Sequence, residues 1–473
     1  MLQISGYRSF SHFWRYSLSI FTGTVLSHAI VLPAGSTPEV PGTVERSLVV
    51  PTTPSQVTLE RTQPVTLQQT IELAGRTSRE LELARLAVER ARASLREAEA
   101  ARLPTVTTSV DYTFNDSFNA RLAIIASPPS PFPPSTITQP FNATIGINYN
   151  LFTSGAVDAN IRAATNSLRI AEAELNRVNQ TIRLRIITAY YNLQSADETV
   201  RIRQKSVENA ERSLKDAQAQ ERAGTGTKFD VLQAEVSLAN ARQELLTAQA
   251  NQLIARREIA RQLEYAPTVD FTAADPIKPE PDWRLSLEES IVLALRNRSE
   301  LDIRKLEREL AQERVNAALA ANGPQVSVFA NYDLGDNFST VGGLAMGYRF
   351  GARFQMNLFD GGTARARADQ TTVDKAIAES RFEQDANQVR FDVEQAFLNL
   401  QARRQQIATT SKALEQATEA LRLARLRFSA GVGTQLEVIR AEEEVTRADV
   451  NRLQSIIGFN QSLADLQRAV SGL

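Results

Sequence analysis

The stretch Phe141-Asn142-Ala143-Thr144-Ile145-Gly146-Ile147-Asn148-Tyr149-Asn150-Leu151 puts an apolar side chain at every odd number and a polar or hydrogen side chain at every even one. Successive side chains of a strand point to opposite faces, so this period of two predicts a β-strand with one apolar and one wet face. Three further stretches carry the device. Val106, Val110, Tyr112 and Phe114 interleave with Thr107, Ser109, Asp111 and Thr113. Val326, Val328, Ala330 and Tyr332 alternate with mostly polar neighbours, and Tyr348, Phe350, Ala352, Phe354, Met356 and Leu358 alternate with Arg349, Gly351, Arg353, Gln355 and Asn357. Runs of about ten such residues suit barrel strands that face lipid outward and water inward. The other reading is a half-buried sheet in a soluble domain.

Most of the rest reads as helix. From about Ala156 to Arg222, Leu168, Ala171, Leu175, Val178, Ile182, Ile186, Ala189, Leu193, Ala196, Val200, Val207, Ala210, Leu214 and Ala217 advance in threes and fours, a coiled-coil seam with a shift at Ile182 to Ile186. At 1.5 Å per residue this helix spans about 100 Å. A second of nearly equal length is expected from Gly362 to Phe428, with shorter helices over Leu67 to Leu103, Thr227 to Glu264, Ser286 to Ala321 and Thr434 to Val470.

An internal repeat explains the length. Val65–Ala74 matches Leu285–Ala294, and Pro104 matches Pro324; later, Leu151-Phe152 matches Leu358-Phe359, Ala189–Gln194 matches Ala396–Gln401, and Gly224 matches Gly431. The register changes between the two strands of each half, where the first copy has the longer loop, Ser127 to Pro140. The expected organisation is a leader over 1–34, a Pro-rich extended segment over 35–64, a first repeat over 65–264, a linker over 265–284 and a second repeat over 285–473. Arg8 and Arg15 precede the apolar stretch Leu18 to Ala34, and Ser27 and Ala29 offer a small-residue cleavage pattern. A single membrane anchor is the alternative for that segment. Trp283 is expected to anchor the linker's end.

The composition excludes several function classes. Lys and Arg number 53 against 54 Asp and Glu, so no basic footprint points to nucleic acid. Cysteine is absent, and the two histidines, His12 and His28, lie in the leader. A mature chain without either lacks the commonest general base and the commonest transition-metal ligands, so neither an enzyme nor a metal or other cofactor is expected. Four strands per chain cannot close a barrel, and unpaired backbone facing lipid costs several kcal/mol per group. Two chains would fill their own interior, whereas three would leave a pore lined by Asp111, Asp333, Arg349 and Arg353.

The turn motifs Arg222-Ala223-Gly224-Thr225-Gly226-Thr227 before Phe229-Asp230-Val231-Leu232, and Phe428-Ser429-Ala430-Gly431-Val432-Gly433-Thr434 before Glu437-Val438-Ile439, resemble those of the TolC family of outer-membrane efflux proteins. The resemblance covers about residues 65 to 470. It implies a homotrimer with a twelve-stranded β-barrel in outer-membrane lipid and a periplasmic α-helical tunnel, serving efflux or type I secretion. Its implied partners are a periplasmic adaptor and an inner-membrane transporter. By the same resemblance Gly224, Thr225, Gly226, Thr227, Gly431, Val432, Gly433 and Thr434 meet the adaptor, while Asp230 and Glu437 constrict the periplasmic aperture. Arg440 stands where some relatives carry a second acid, so a Glu437–Arg440 pair is the alternative to a double acidic ring. The rival class is a non-membrane coiled-coil scaffold. Cargo is not specified by this chain.

Overall fold

The computed structural model describes residues 52–56, 58–59, 61–126, 128, 136–265, 268–338 and 343–470. The chain divides into two units, 1–57 and 58–473. A 3-10 turn, Pro54–Gln56, lies in the first, and every other element belongs to the second. The expected leader over 1–34 falls outside the described residues.

Four strands form one antiparallel sheet: β2 (Thr105–Tyr112), β5 (Pro140–Phe152), β7 (Gln325–Asn337) and β8 (Ala345–Gln355), in the order β2-β5-β7-β8. A small hairpin, β3 (Asn115–Asp116) with β4 (Ile137–Thr138), lies beyond β2 and β5, and α3 (Phe118–Ala126) sits within it. The ladder register lines up the two predicted faces. Val106 pairs with Ile147, Ile147 with Ala330, and Ala330 with Phe350. One residue along, Thr107 pairs with Gly146, Gly146 with Asn331, and Asn331 with Arg349. A slip of one residue would exchange the faces. Tyr348 and Phe350, 77% and 78% exposed, stand on the apolar side, which the described residues leave uncovered there.

The helices hang from one end of this sheet. α4 (Ala156–Arg222) and α8 (Thr363–Ser429) are each 67 residues long, and the returning helices α5 (Lys228–Gln262) and α9 (Gln435–Ala469) each have 35. At 1.5 Å per residue the long pair spans about 100 Å.

The remaining helical stretches differ from expectation. Leu67 to Leu103 is two helices, α1 (Leu67–Thr77) and α2 (Arg79–Ala100), broken at Ser78 with ψ 120°. Ser286 to Ala321 is likewise α6 (Leu287–Asn297) and α7 (Ser299–Ala320), broken at Arg298 with ψ 121°. Ser78 leaves the helix and its side chain accepts the Leu81 amide as the cap of α2. α1 and α6 begin with capping boxes, Thr66 with Gln69 and Ser286 with Glu289, which satisfy otherwise orphaned first-turn donors.

The segments read as extended connectors also differ. β1 (Arg61–Val65) lies in the Pro-rich lead-in, β6 (Val269–Ala273) lies in the linker, and the two pair in parallel, Arg61 with Val269 through Val65 with Ala273. Phe271 of β6 is buried with Ile186, Tyr190, Leu193, Ile259 and Leu263 in one apolar cluster. Asp275, just after β6, accepts hydrogen bonds from the Tyr190 hydroxyl at 2.7 Å and from the Leu67 amide at 2.7 Å. Asp197 of α4 holds the same belt, accepting from the Thr272 hydroxyl at 2.7 Å and the Ala273 amide at 3.1 Å. The second half has its own cluster, including Leu301, Val389, Val393, Phe459, Leu463 and Leu466. Trp283 packs on it and donates its indole N–H to Ser290 Oγ at 3.0 Å.

Candidate functional site: the helix tips and the polar sheet face

Both long helices reverse through glycine turns. Gly224 and Gly431 take φ of 75° and 74°, a left-handed conformation that only glycine adopts without strain. The Thr225 and Gly226 amides donate back to the Gln220 carbonyl at 3.0 Å, and Val432 and Gly433 do the same to Arg427 at 3.0 Å. These bonds satisfy the orphan carbonyls at the helix end. Gly226 and Gly433 do not take a positive φ. They are required for room: a Cβ at either would stand 3.0 Å from the preceding turn's Gln220 or Arg427.

The two tips treat their first-turn acids differently. Asp230 closes a capping box, accepting from the Thr227 amide at 3.1 Å and its hydroxyl at 2.6 Å. Thr434 caps the Glu437 amide at 3.3 Å, but the Glu437 carboxylate does not return the bond and instead lies 3.8 Å from Arg427 on the facing helix. The Glu437–Arg440 pair considered from the sequence is not formed. Arg440 is exposed and makes no ion pair among the described residues, because Glu437 reaches across the hairpin rather than along its own helix.

Further up, the helices close on a polar group that sequence reasoning missed. Glu442 of α9 is 7% exposed and accepts from Arg425 of α8 at 2.7 Å and from the Ser213 hydroxyl of α4 at 2.9 Å. Arg425 also donates to Asn209 Oδ1 at 3.1 Å. Burial pushes the Glu442 carboxyl above its ordinary pKa, and the opposing pull of Arg425 and Ser213 does not cancel it. An open groove of about 780 Å³ beside it is lined by Arg425, Arg422, Gln220 and Gln435. The Gln435 amide is buried with no hydrogen-bond partner among the described residues. A signal was present: Gln435, Val438, Glu442 and Thr446 advance in steps of three and four, so a carboxylate occupies a seam position.

On the polar face of the sheet, Asp333 accepts from the Thr144 hydroxyl at 2.8 Å and from Arg349 at 3.1 Å. Arg353 lies apart from them with its guanidinium carbon 5.5 Å from the centre of the Phe329 ring. Asp111 stands at the loop end of β2, opposite Asn142. Of the four predicted lumen residues, the fold therefore joins Asp333 with Arg349 and leaves the other two separate. Among the described residues no group of His, Asp and Glu could hold a metal, and no helix is long and apolar enough to cross a membrane.

A two-faced sheet carrying long helices of about 100 Å that fold back at their far tips defines the architecture of an outer-membrane channel-tunnel. Residues 70–263 and 290–472 match the family described as Outer membrane efflux protein. The chain belongs to that family, the one its tip motifs resemble. It is similar to the Pseudomonas aeruginosa Pyoverdine export outer membrane protein OpmQ, at 24% identity over 70% of either chain. Similarity to the Pseudomonas putida Probable efflux pump outer membrane protein TtgC is 22%, over 86% of this chain and 83% of that one. The crystal structure of VceC from Vibrio cholerae shares the fold, with a TM-score of 0.71, 20% identity, and coverage of 86% of this chain and 96% of that one. This is therefore an outer-membrane channel-tunnel protein of efflux or secretion, of a family of channels rather than enzymes. A non-membrane coiled-coil scaffold does not fit that membership.

Proposed function

We propose that three copies close a twelve-stranded barrel through which a periplasmic helical tunnel empties to the exterior. The observation that carries this reading is the sheet β2-β5-β7-β8, which has one apolar face, one polar face and, among the described residues, two unpaired edges, β2 and β8. Open edges are not tolerated in lipid, and β8 of one copy supplies the edge that β2 of the next requires. The tip turns around Gly224–Thr227 and Gly431–Thr434 project furthest from the sheet and receive the helical hairpins of a periplasmic adaptor, which links the duct to an inner-membrane transporter. Asp230, Glu437 and Arg440 surround the aperture at that end.

Outer-membrane preparations run on denaturing gels without and with boiling test the assembly. A band of three chain masses that collapses to one on heating is the expected result, and a chain that leaves the membrane fraction in plain buffer as a monomer rules the reading out. Photocrosslinkers at Thr225 and Val432 should capture a periplasmic adaptor, while one at Leu334 on the lipid face should not.

A further inference from the structure

On the polar face of the sheet one residue breaks the pattern. Ser327, Phe329, Asn331 and Asp333 share that face of β7, and Phe329 is its single aromatic residue. Its ladder partner is Gly351, where a Cβ would stand 3.1 Å from the ring's Cζ. The ring thus lies down over a position kept free of a side chain, and Arg353 lies against it at 5.5 Å. The two basic residues of β8 differ in kind. Arg349 is neutralised by Asp333 at 3.1 Å, whereas Arg353 has no ion pair among the described residues. Arg353 pairs in the ladder with Ser327, six residues from Asp333, or about 20 Å along the strand at 3.3 Å per residue. No acid on the polar faces of β5, β7 and β8 stands nearer its level.

We infer that Arg353, braced on Phe329 over Gly351, is an anion-binding station in the duct, set at the helix end of the barrel and selecting organic carboxylates and sulfonates, aromatic ones most. The inference rests on the trimeric-barrel reading, in which three copies of Arg353 form a ring. Resting a guanidinium on an aromatic face fixes a charge that would otherwise sweep a large volume, and leaves its outer face and N–H edge free. A planar guanidinium recognises carboxylates and sulfonates through paired N–H donors and stacks on flat aromatic anions. A low-dielectric wall around a water-filled bore strengthens such a fixed charge relative to bulk water.

The test is block of potassium current through single trimers in planar bilayers by 1,5-naphthalenedisulfonate added on the loop side, which reaches the barrel without passing the helix tips. The wild type should be blocked, with R353Q weakening block about tenfold, and R353K, which keeps the charge but loses the paired donors and the stacking, and F329L each falling between. R353Q pores that conduct and are blocked like the wild type overturn the inference while leaving the barrel intact. So does R353K blocked as fully as the wild type, because a point charge without the planar fork would then suffice. Trimers that show no conductance at all overturn the barrel reading, and this inference falls with it.

Discussion

Arg425 and Glu442 meet at 2.7 Å across the hairpin of α8 and α9, with the acid far more enclosed than the base: their side chains are 8% and 33% exposed. Burial outweighs the attraction of the arginine, since the Glu442 carboxyl is held above rather than below its usual range. The pair is therefore a compensated cost, not a source of stability.

Removing either partner should give unequal results. Arg425→Ala strands a buried carboxylate and should lower stability by about 2 kcal/mol, less than for a wholly enclosed pair because Arg425 is partly wet. Glu442→Gln keeps acceptors for Ser213 and Arg425 and should be neutral or mildly stabilising at pH 7. Urea or thermal unfolding of purified trimers measures both, and equal losses would contradict the assignment.

The sign of the pH effect follows from the same residue. A carboxyl whose folded pKa is raised binds more protons folded than unfolded between the two pKa values, so stability falls as pH climbs from the ordinary value of 4.5 through the raised one. The wild type should therefore gain on Glu442→Gln as the buffer is acidified through that window. Melting midpoints of the two proteins at matched pH values read the difference, and curves that stay parallel would exclude it.

At the aperture, Asp230 is engaged by Thr227 while Glu437 contacts the opposite helix. Glu437→Ala should raise the conductance of the closed state, Asp230→Ala should do so less, and the double variant should be close to Glu437→Ala alone. An unchanged closed level in the double variant would remove both residues from the gate.

Capping predicts a second asymmetry between the tips. Thr227→Ala dissolves a reciprocal box and should cost about 1 kcal/mol, whereas Thr434→Ala loses a single long bond and should cost less. Hydrogen exchange of the first-turn amides of α5 and α9 ranks the two.

Beneath the sheet, Tyr190→Phe removes a fully buried hydroxyl that donates to Asp275. The loss should be about 1 to 2 kcal/mol, since Asp275 keeps the Leu67 amide as a partner. A melting shift in the trimer reads it, and a trimer melting like the wild type would show that the belt does not depend on this bond.

The strands were legible because period two leaves no ambiguity when apolar and polar side chains alternate for ten residues, as in Phe141–Leu151. Long helices were legible from their seams for the same reason. The breaks at Ser78 and Arg298 were not, since neither residue is a proline or glycine and the apolar steps run on through both. β1 and β6 were hidden for another reason: each is only five residues long, Pro64 lies inside β1, and their pairing joins segments far apart in sequence. At the tips, residue types identified the turn but not the partners. Only coordinates separate an aspartate folded back on its cap from a glutamate reaching Arg427. Glu442 was overlooked because three consecutive glutamates read as a solvated surface, although the seam spacing singles out the first of them.

The parallel pairing of Arg61–Val65 with Val269–Ala273 bears on how the polypeptide is made. A chain emerging N-terminus first must extend past Ala273 before β1 finds its mate, so all of α4 and α5 precede that contact. Until then β1 is a lone edge, and closing so large a loop is slow relative to local helix growth. Nascent chains halted between the two strands should thus be the species most prone to sticking to one another, and the ones for which a folding helper matters most.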